Sequence, residues 1–179
     1  VNLYAYAGNN PISFSDPFRL LECKETGNCV QGDGGVQEAQ DWQAAHIKIT
    51  AKYGTDFEGV DPALKIAVVR AAVLMGDATL GISAGNEGGH SIEGRHGEGG
   101  AVDINQVNGV RFRDMPAETA AQTGNTLGAH IANSLPSGRT LMVYTPGMAF
   151  RMDQTLTAER ARALMGSHYN HVHVTVTKP

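Results

Sequence analysis

The chain has 179 residues, 18% of them charged and 41% hydrophobic, with a formal net charge of −4. That excludes a disordered acidic or basic tail, and there is neither a Lys/Arg-dense stripe nor an apolar run of the roughly 20 residues a bilayer needs, so no nucleic-acid partner and no membrane span are expected. Glycine, at 22 of 179 residues, points to a loop-rich α+β domain and away from a helical bundle. The chain opens on Val1 with no charged-then-apolar leader, and reads as a piece of a longer protein whose export depends on another part. Residues 2–6 predict a short aromatic strand, followed by turn chemistry at Asn9-Asn10-Pro11 and Asp16-Pro17. Residues 21–35 read as a linker holding Cys23, Cys29 and Gly32-Asp33-Gly34-Gly35. Gly27 and Asn28 favour a turn between the cysteines, and a disulfide closing that loop fits an oxidising compartment. A helix is expected from Val36 to Tyr53, ended by Gly54, with Trp42, Ala45 and Ile49 on its apolar face. A second helix starts at Asp61 as N-cap with Pro62 in the first position, and runs through Leu64, Val68, Ala71 and Met75. Thr79–Ser83 reads as a strand, residues 85–100 as a glycine-rich loop, and Ala101–Asn105 as a strand. Asn108-Gly109 predicts a hairpin turn into Val110-Arg111-Phe112. A third helix covers Ala117–Leu135, stopped by Pro136; Thr140–Tyr144 is a strand; Thr157 caps a helix to Met165; and His171–Thr177 alternates as a final strand.

The first 20 residues carry Asn2-x-Tyr4-x-Tyr6-x-x-Asn9-Asn10-Pro11, then Asp16-Pro17 and Leu20. This resembles the end of the core domain in Rhs/YD-repeat proteins. The resemblance implies that residues 1–20 close an upstream shell, that residues 21–35 link, and that residues 36–179 form a toxin domain with a cognate immunity protein. The family's Asp-Pro-x-Gly-Leu ending has Arg19 in place of its glycine, with Leu20 retained.

The chemistry lies in two short stretches. One is His96-Gly97-Glu98-Gly99-Gly100-Ala101-Val102-Asp103, the other His168-Tyr169-Asn170-His171-Val172-His173. Zinc takes imidazole nitrogen and carboxylate oxygen, and catalytic sites keep one position open. His171 and His173 share one face of a strand, because strand side chains alternate. A loop histidine, a strand carboxylate and a second strand histidine make a three-ligand set. His46, His90 and His130 read as ordinary histidines.

Together, His96-x-x-Gly99-x-Ala101-x-Asp103 and His171-x-His173 resemble the LAS metallopeptidases: lysostaphin-type enzymes, D-Ala-D-Ala metallopeptidases and hedgehog-like domains. The resemblance spans about residues 79–176 and implies an α+β fold, a mainly antiparallel sheet with helices packed on one side. Carried over by position, it implies Zn²⁺ on His96, Asp103 and His173, with His171 hydrogen-bonding at the active centre. In the penicillin-insensitive murein endopeptidases another histidine precedes the His-x-His by three residues; here that is His168. Where the D-Ala-D-Ala enzymes place a glutamate, this chain has Asn170, and the family's arginine has only Arg95 as a candidate. His168 and His171 are therefore the expected catalytic pair, with His168 the base, while the glycine-flanked Glu98 reads as a solvated charge. The implied activity is a zinc peptidase toxin of an Rhs effector. It would be secreted by its producer and would cut peptidoglycan peptides in the periplasm of a target bacterium. A zinc-binding module without catalysis and a nuclease toxin are the alternatives.

Overall fold

The computed structural model describes residues 21–23, 29–31, 47–49, 57, 59–85 and 96–177, and the chain divides into two units between Trp42 and Gln43. In the first unit β1 (Leu21–Cys23) pairs antiparallel with β2 (Cys29–Gln31), a hairpin where a linker was expected. Cys23 and Cys29 are register partners. Opposed Cα atoms lie about 4.5–5.5 Å apart, within the span a disulfide bridges. The disulfide itself concerns side chains outside the described residues. So do the expectations for residues 1–20 and for the Gly32-Asp33-Gly34-Gly35 run.

The second unit is built on one sheet. Its strands are β3 (Ile47–Ile49), β4 (Leu80–Ala84), β5 (Ala101–Val107), β6 (Val110–Arg111), β7 (Thr140–Tyr144), β8 (Ala149–Arg151) and β9 (Val172–Val176). The order is β3-β4-β5-β9-β7-β8, with β6 paired to β5. Among the described strands only β3–β4 is parallel; the other pairs are antiparallel. The strand at Ile47–Ile49 corrects the helix expected across Val36–Tyr53, whose remaining residues lie outside the described ones. The Ile-Lys-Ile triplet alternates with period two, and β-branched isoleucine suits a strand.

Three α-helices are described: α1 (Pro62–Leu74), α2 (Ala117–Ser134) and α3 (Ala158–Ser167). The Asp61 side chain accepts from Ala63 N at 2.9 Å and Leu64 N at 3.3 Å, and Pro62 costs no hydrogen bond in the first turn. Thr157 caps α3 by accepting from Arg160 N at 3.2 Å. Along α2 the buried residues are Ala120, Gly124, Leu127, Gly128 and Ile131, one helical stripe. That stripe lies on β7 and β9, and α1 packs against α2. The approach is close: a Cβ on Gly128 would come 2.8 Å from Val143 Cγ1, and one on Gly124 2.7 Å from Pro146 Cδ. By contrast α3 buries no residue fully and meets β8.

The register sorts the two faces of the sheet. Val102, Val174 and Val143 are cross-strand partners on β5, β9 and β7, all fully buried, and Val143 meets α2. The adjacent row is Asp103, His173 and Tyr144 on the same three strands. Because side chains alternate, the valine row faces α2, and the polar row lies on the opposite face, where His168 at the end of α3 meets Tyr144 and His173. The Asn108-Gly109 turn has φ of 50° and 82° at its two residues, the left-handed pair a two-residue hairpin needs.

Candidate metal centre

Asp103 and His173 meet because β5 and β9 are paired in that register. His173 Nδ1 lies 2.7 Å from Asp103 Oδ1. His96 arrives from the 3-10 turn His96–Glu98, and its Nε2 lies 3.5 Å from the same oxygen. One ligand atom from each of the three residues falls within 4.8 Å of the others, and all three residues are buried, so the group can hold a metal ion.

The turn that carries His96 is fixed at both ends. Gly99 N donates to His96 O at 2.8 Å, and Gly99 O accepts from Asp61 N at 2.8 Å, tying the turn to the cap of α1. Gly99 has φ +70°, and a Cβ there would collide with the Gly59 carbonyl. This gives the His-x-x-Gly spacing a steric reason.

Hydrogen bonds at the far nitrogens set the tautomers. His96 Nδ1 donates to Gly85 O at 3.0 Å, which leaves Nε2 as a lone pair facing Asp103. His173 Nε2 lies 2.7 Å from Thr175 Oγ1. With Nε2 donating to that hydroxyl, His173 Nδ1 also presents a lone pair. Two imidazole lone pairs and a carboxylate oxygen then converge, an arrangement that a cation satisfies and that a second acceptor would not. Without a cation, a proton on His173 Nδ1 fills the same gap. The donor set therefore fits a divalent metal with room for a further ligand. In the metal-free site burial opposes the charge of Asp103, but its hydrogen bond with His173 holds the carboxyl well below the usual carboxylate range.

Two further histidines stand beside this trio. His171 Nδ1 donates to Asn170 Oδ1 at 2.7 Å and its Nε2 lies 3.8 Å from Asp103 Oδ1. His168 ends α3 and donates from Nδ1 to Leu164 O at 2.7 Å. Its ring centroid is 4.8 Å from that of His171 and 5.6 Å from that of His173. Both keep an unprotonated Nε2 in this arrangement. Burial pushes His171 down to about 4 against the pull of the Asp103 carboxylate, and burial lowers His168 as well. Both rings are thus neutral proton acceptors near neutral pH.

Of the other residues singled out, Glu98 is exposed and His130 lies on α2. Arg95, His46 and His90 fall outside the described residues. Asn170 stands where a base was looked for, and holds His171. Two residues had not been picked out. Thr175 shares the face of His173 one strand period on, a spacing visible in the sequence. Tyr144 stacks on His173 with centroids 5.9 Å apart and meets His168 at 4.8 Å; the pairing of β7 with β9 that puts it there has no local signal. Compared with protein-family models, curated proteins and solved structures, the chain finds no match in any of the three.

Proposed function

We propose that the chain is a zinc-dependent peptidase of LAS type that acts on the peptide part of bacterial peptidoglycan, as the toxin domain of an Rhs effector. The observation that carries the reading is the single oxygen of Asp103 faced by nitrogens of His96, His171 and His173, with His168 against the same cluster. Two histidines and a carboxylate suit zinc, and the His-x-x-Gly-x-Ala-x-Asp and His-x-His spacings fit the LAS pattern. Zinc, when bound, supplies Lewis acidity for a scissile carbonyl and for water.

The chain's own residues divide the remaining work. His168 Nε2 accepts the proton released as water attacks, since its Nδ1 is already committed to Leu164 O. His171 Nε2, beside Asp103, is a second acceptor for that proton, and only after taking it can it donate to the developing carbonyl oxyanion. Asn170 fixes the His171 ring, and Tyr144 packs against both His168 and His173 and limits water around them. The reading places action in the periplasm of a target cell, where the Cys23/Cys29 pairing would also oxidise.

Mass spectrometry of muropeptides incubated with the purified chain tests this. Cleavage that a chelator abolishes and zinc restores is expected. His168→Ala should keep zinc and lose about 10²- to 10⁴-fold in kcat. Stoichiometric zinc with no cleaved muropeptide would favour the non-catalytic zinc module instead.

A further inference from the structure

Next to the histidine cluster lies a cavity of about 210 Å³ that has Asp103 and His171 on its wall. The rest of its lining is Ser83, Asn105, Asn170, Arg111 and Arg113. The chain has only 14 lysines and arginines and a net charge of −4, so two guanidinium groups on one small cavity concentrate positive charge against the composition.

The two arginines come from one anchored segment. After the Asn108-Gly109 turn, β6 pairs with β5 through Val107↔Val110 and Gln106↔Arg111. The 3-10 turn Phe112–Asp114 follows, and Phe112 is 1% exposed. A buried aromatic thus pins the chain between two charged neighbours. Among the described residues Arg113 has an ion contact to Asp114, Nε to Oδ1 at 3.6 Å, with both side chains more than half exposed. Such a contact holds little and yields readily to a better anion. Guanidinium forks match a carboxylate in two parallel hydrogen bonds, and the hydroxyl and amides of the same lining can serve as neutral donors.

We propose that this cavity is a carboxylate subsite, in which Arg111 and Arg113 hold a carboxylate of the peptide presented to the histidine cluster. The proposal rests on the peptidase reading for its substrate. The Asp103 carboxyl group in the same lining opposes a doubly charged phosphate more than a singly charged carboxylate. The carboxylate can be the end of a peptide or an acidic side chain.

The test is a binding measurement on the metal-free protein, so that carboxylate held by zinc does not enter. Acetyl-Ala-Ala-Ala as the free acid, the same peptide as its amide, and an amidated peptide with a central glutamate are titrated calorimetrically. Arginine Nε–Hε resonances are followed alongside. At least one carboxylate peptide should bind about tenfold tighter than the neutral amide, and the tighter of the two names the source. R111Q/R113Q should erase that preference. If the double variant is unfolded by thermal melt, each single variant should cut the preference several-fold. Failure of both carboxylate peptides to bind more tightly than the neutral amide would overturn the subsite. So would a preference that survives R111Q/R113Q, or tighter binding of inorganic phosphate. Because no cleavage is read, the two ideas fail separately. Carboxylate preference without muropeptide cleavage sinks the peptidase reading alone; cleavage without carboxylate preference sinks the subsite alone.

Discussion

Thr175 decides which nitrogen of His173 faces Asp103. Its hydroxyl sits 2.7 Å from Nε2, and both groups are buried, so no water substitutes for it. Thr175→Val keeps the shape and removes the acceptor. Partners of this kind are worth about 10- to 100-fold in metal affinity, so competition with a zinc-chelating dye should show a loss of that size while the fold persists. Unchanged affinity would mean that the hydroxyl does not set the tautomer. His171 provides a second test, through acid stability of the metal-free chain. Its pKa is about 4 folded and near 6.5 unfolded, so between those values the unfolded chain binds more protons. Its contribution is therefore complete above about pH 6.5 and is lost as pH falls toward 4. Urea midpoints should drop across that window, and His171→Gln should flatten the slope there. Residue identities in this cluster were legible in the sequence because each motif is local: six residues lie between His96 and Asp103, and one between His171 and His173. Thr175 could have been read by the same alternation. Tyr144 could not, because its neighbours come from strand pairing over about 29 residues.

Elements with strong end signals were legible for physical reasons. Asp61-Pro62, Thr157 and Asn108-Gly109 each satisfy or preset backbone groups within a few residues, and the elements they start or join stand where those signals put them. Elements defined by partners were harder. β3 exists through its parallel pairing to β4, and β8 through a turn in which Thr145 N donates to Met148 O at 2.8 Å. The Pro146-Gly147 pair marks that turn, but a three-residue strand carries too little pattern to follow it. Helix α2 looks poor by propensity, with glycines at 124 and 128, until its partner is known. Those glycines seat it on β7, which in turn carries Tyr144 to the site. Gly128→Ala should gain helix propensity of about 1 kcal/mol yet meet Val143 Cγ1 at 2.8 Å, for a net loss of up to about 2 kcal/mol in urea unfolding. Gly166→Ala on α3 meets nothing within 4 Å and should stabilise by up to about 1 kcal/mol. If both substitutions stabilised, the close approach of α2 to the sheet would be wrong.

At the scale of the second unit, the centre ties together parts of the chain that share no local structure. Asp103 and His173 are 70 residues apart and meet only when β5 and β9 are paired, while His96 depends on a turn hydrogen-bonded to the cap of α1. The same cap accepts Arg139 Nη2 on Asp61 Oδ2 at 2.8 Å, so the segment before β7 is joined to it as well. An unfolded chain has no such convergence and holds a metal weakly. Binding to the folded state alone must then raise stability, by about 2.7 kcal/mol at free zinc 100-fold above Kd. For a chain of this size that is a Tm rise of about 5–11 °C. Thermal melts with zinc or chelator measure the shift. Asp103→Asn should remove it, since the amide cannot replace the carboxylate's charge. A Tm indifferent to zinc and chelator alike would show that the three side chains close the sheet without a metal. The cluster would then be a buried hydrogen-bond network.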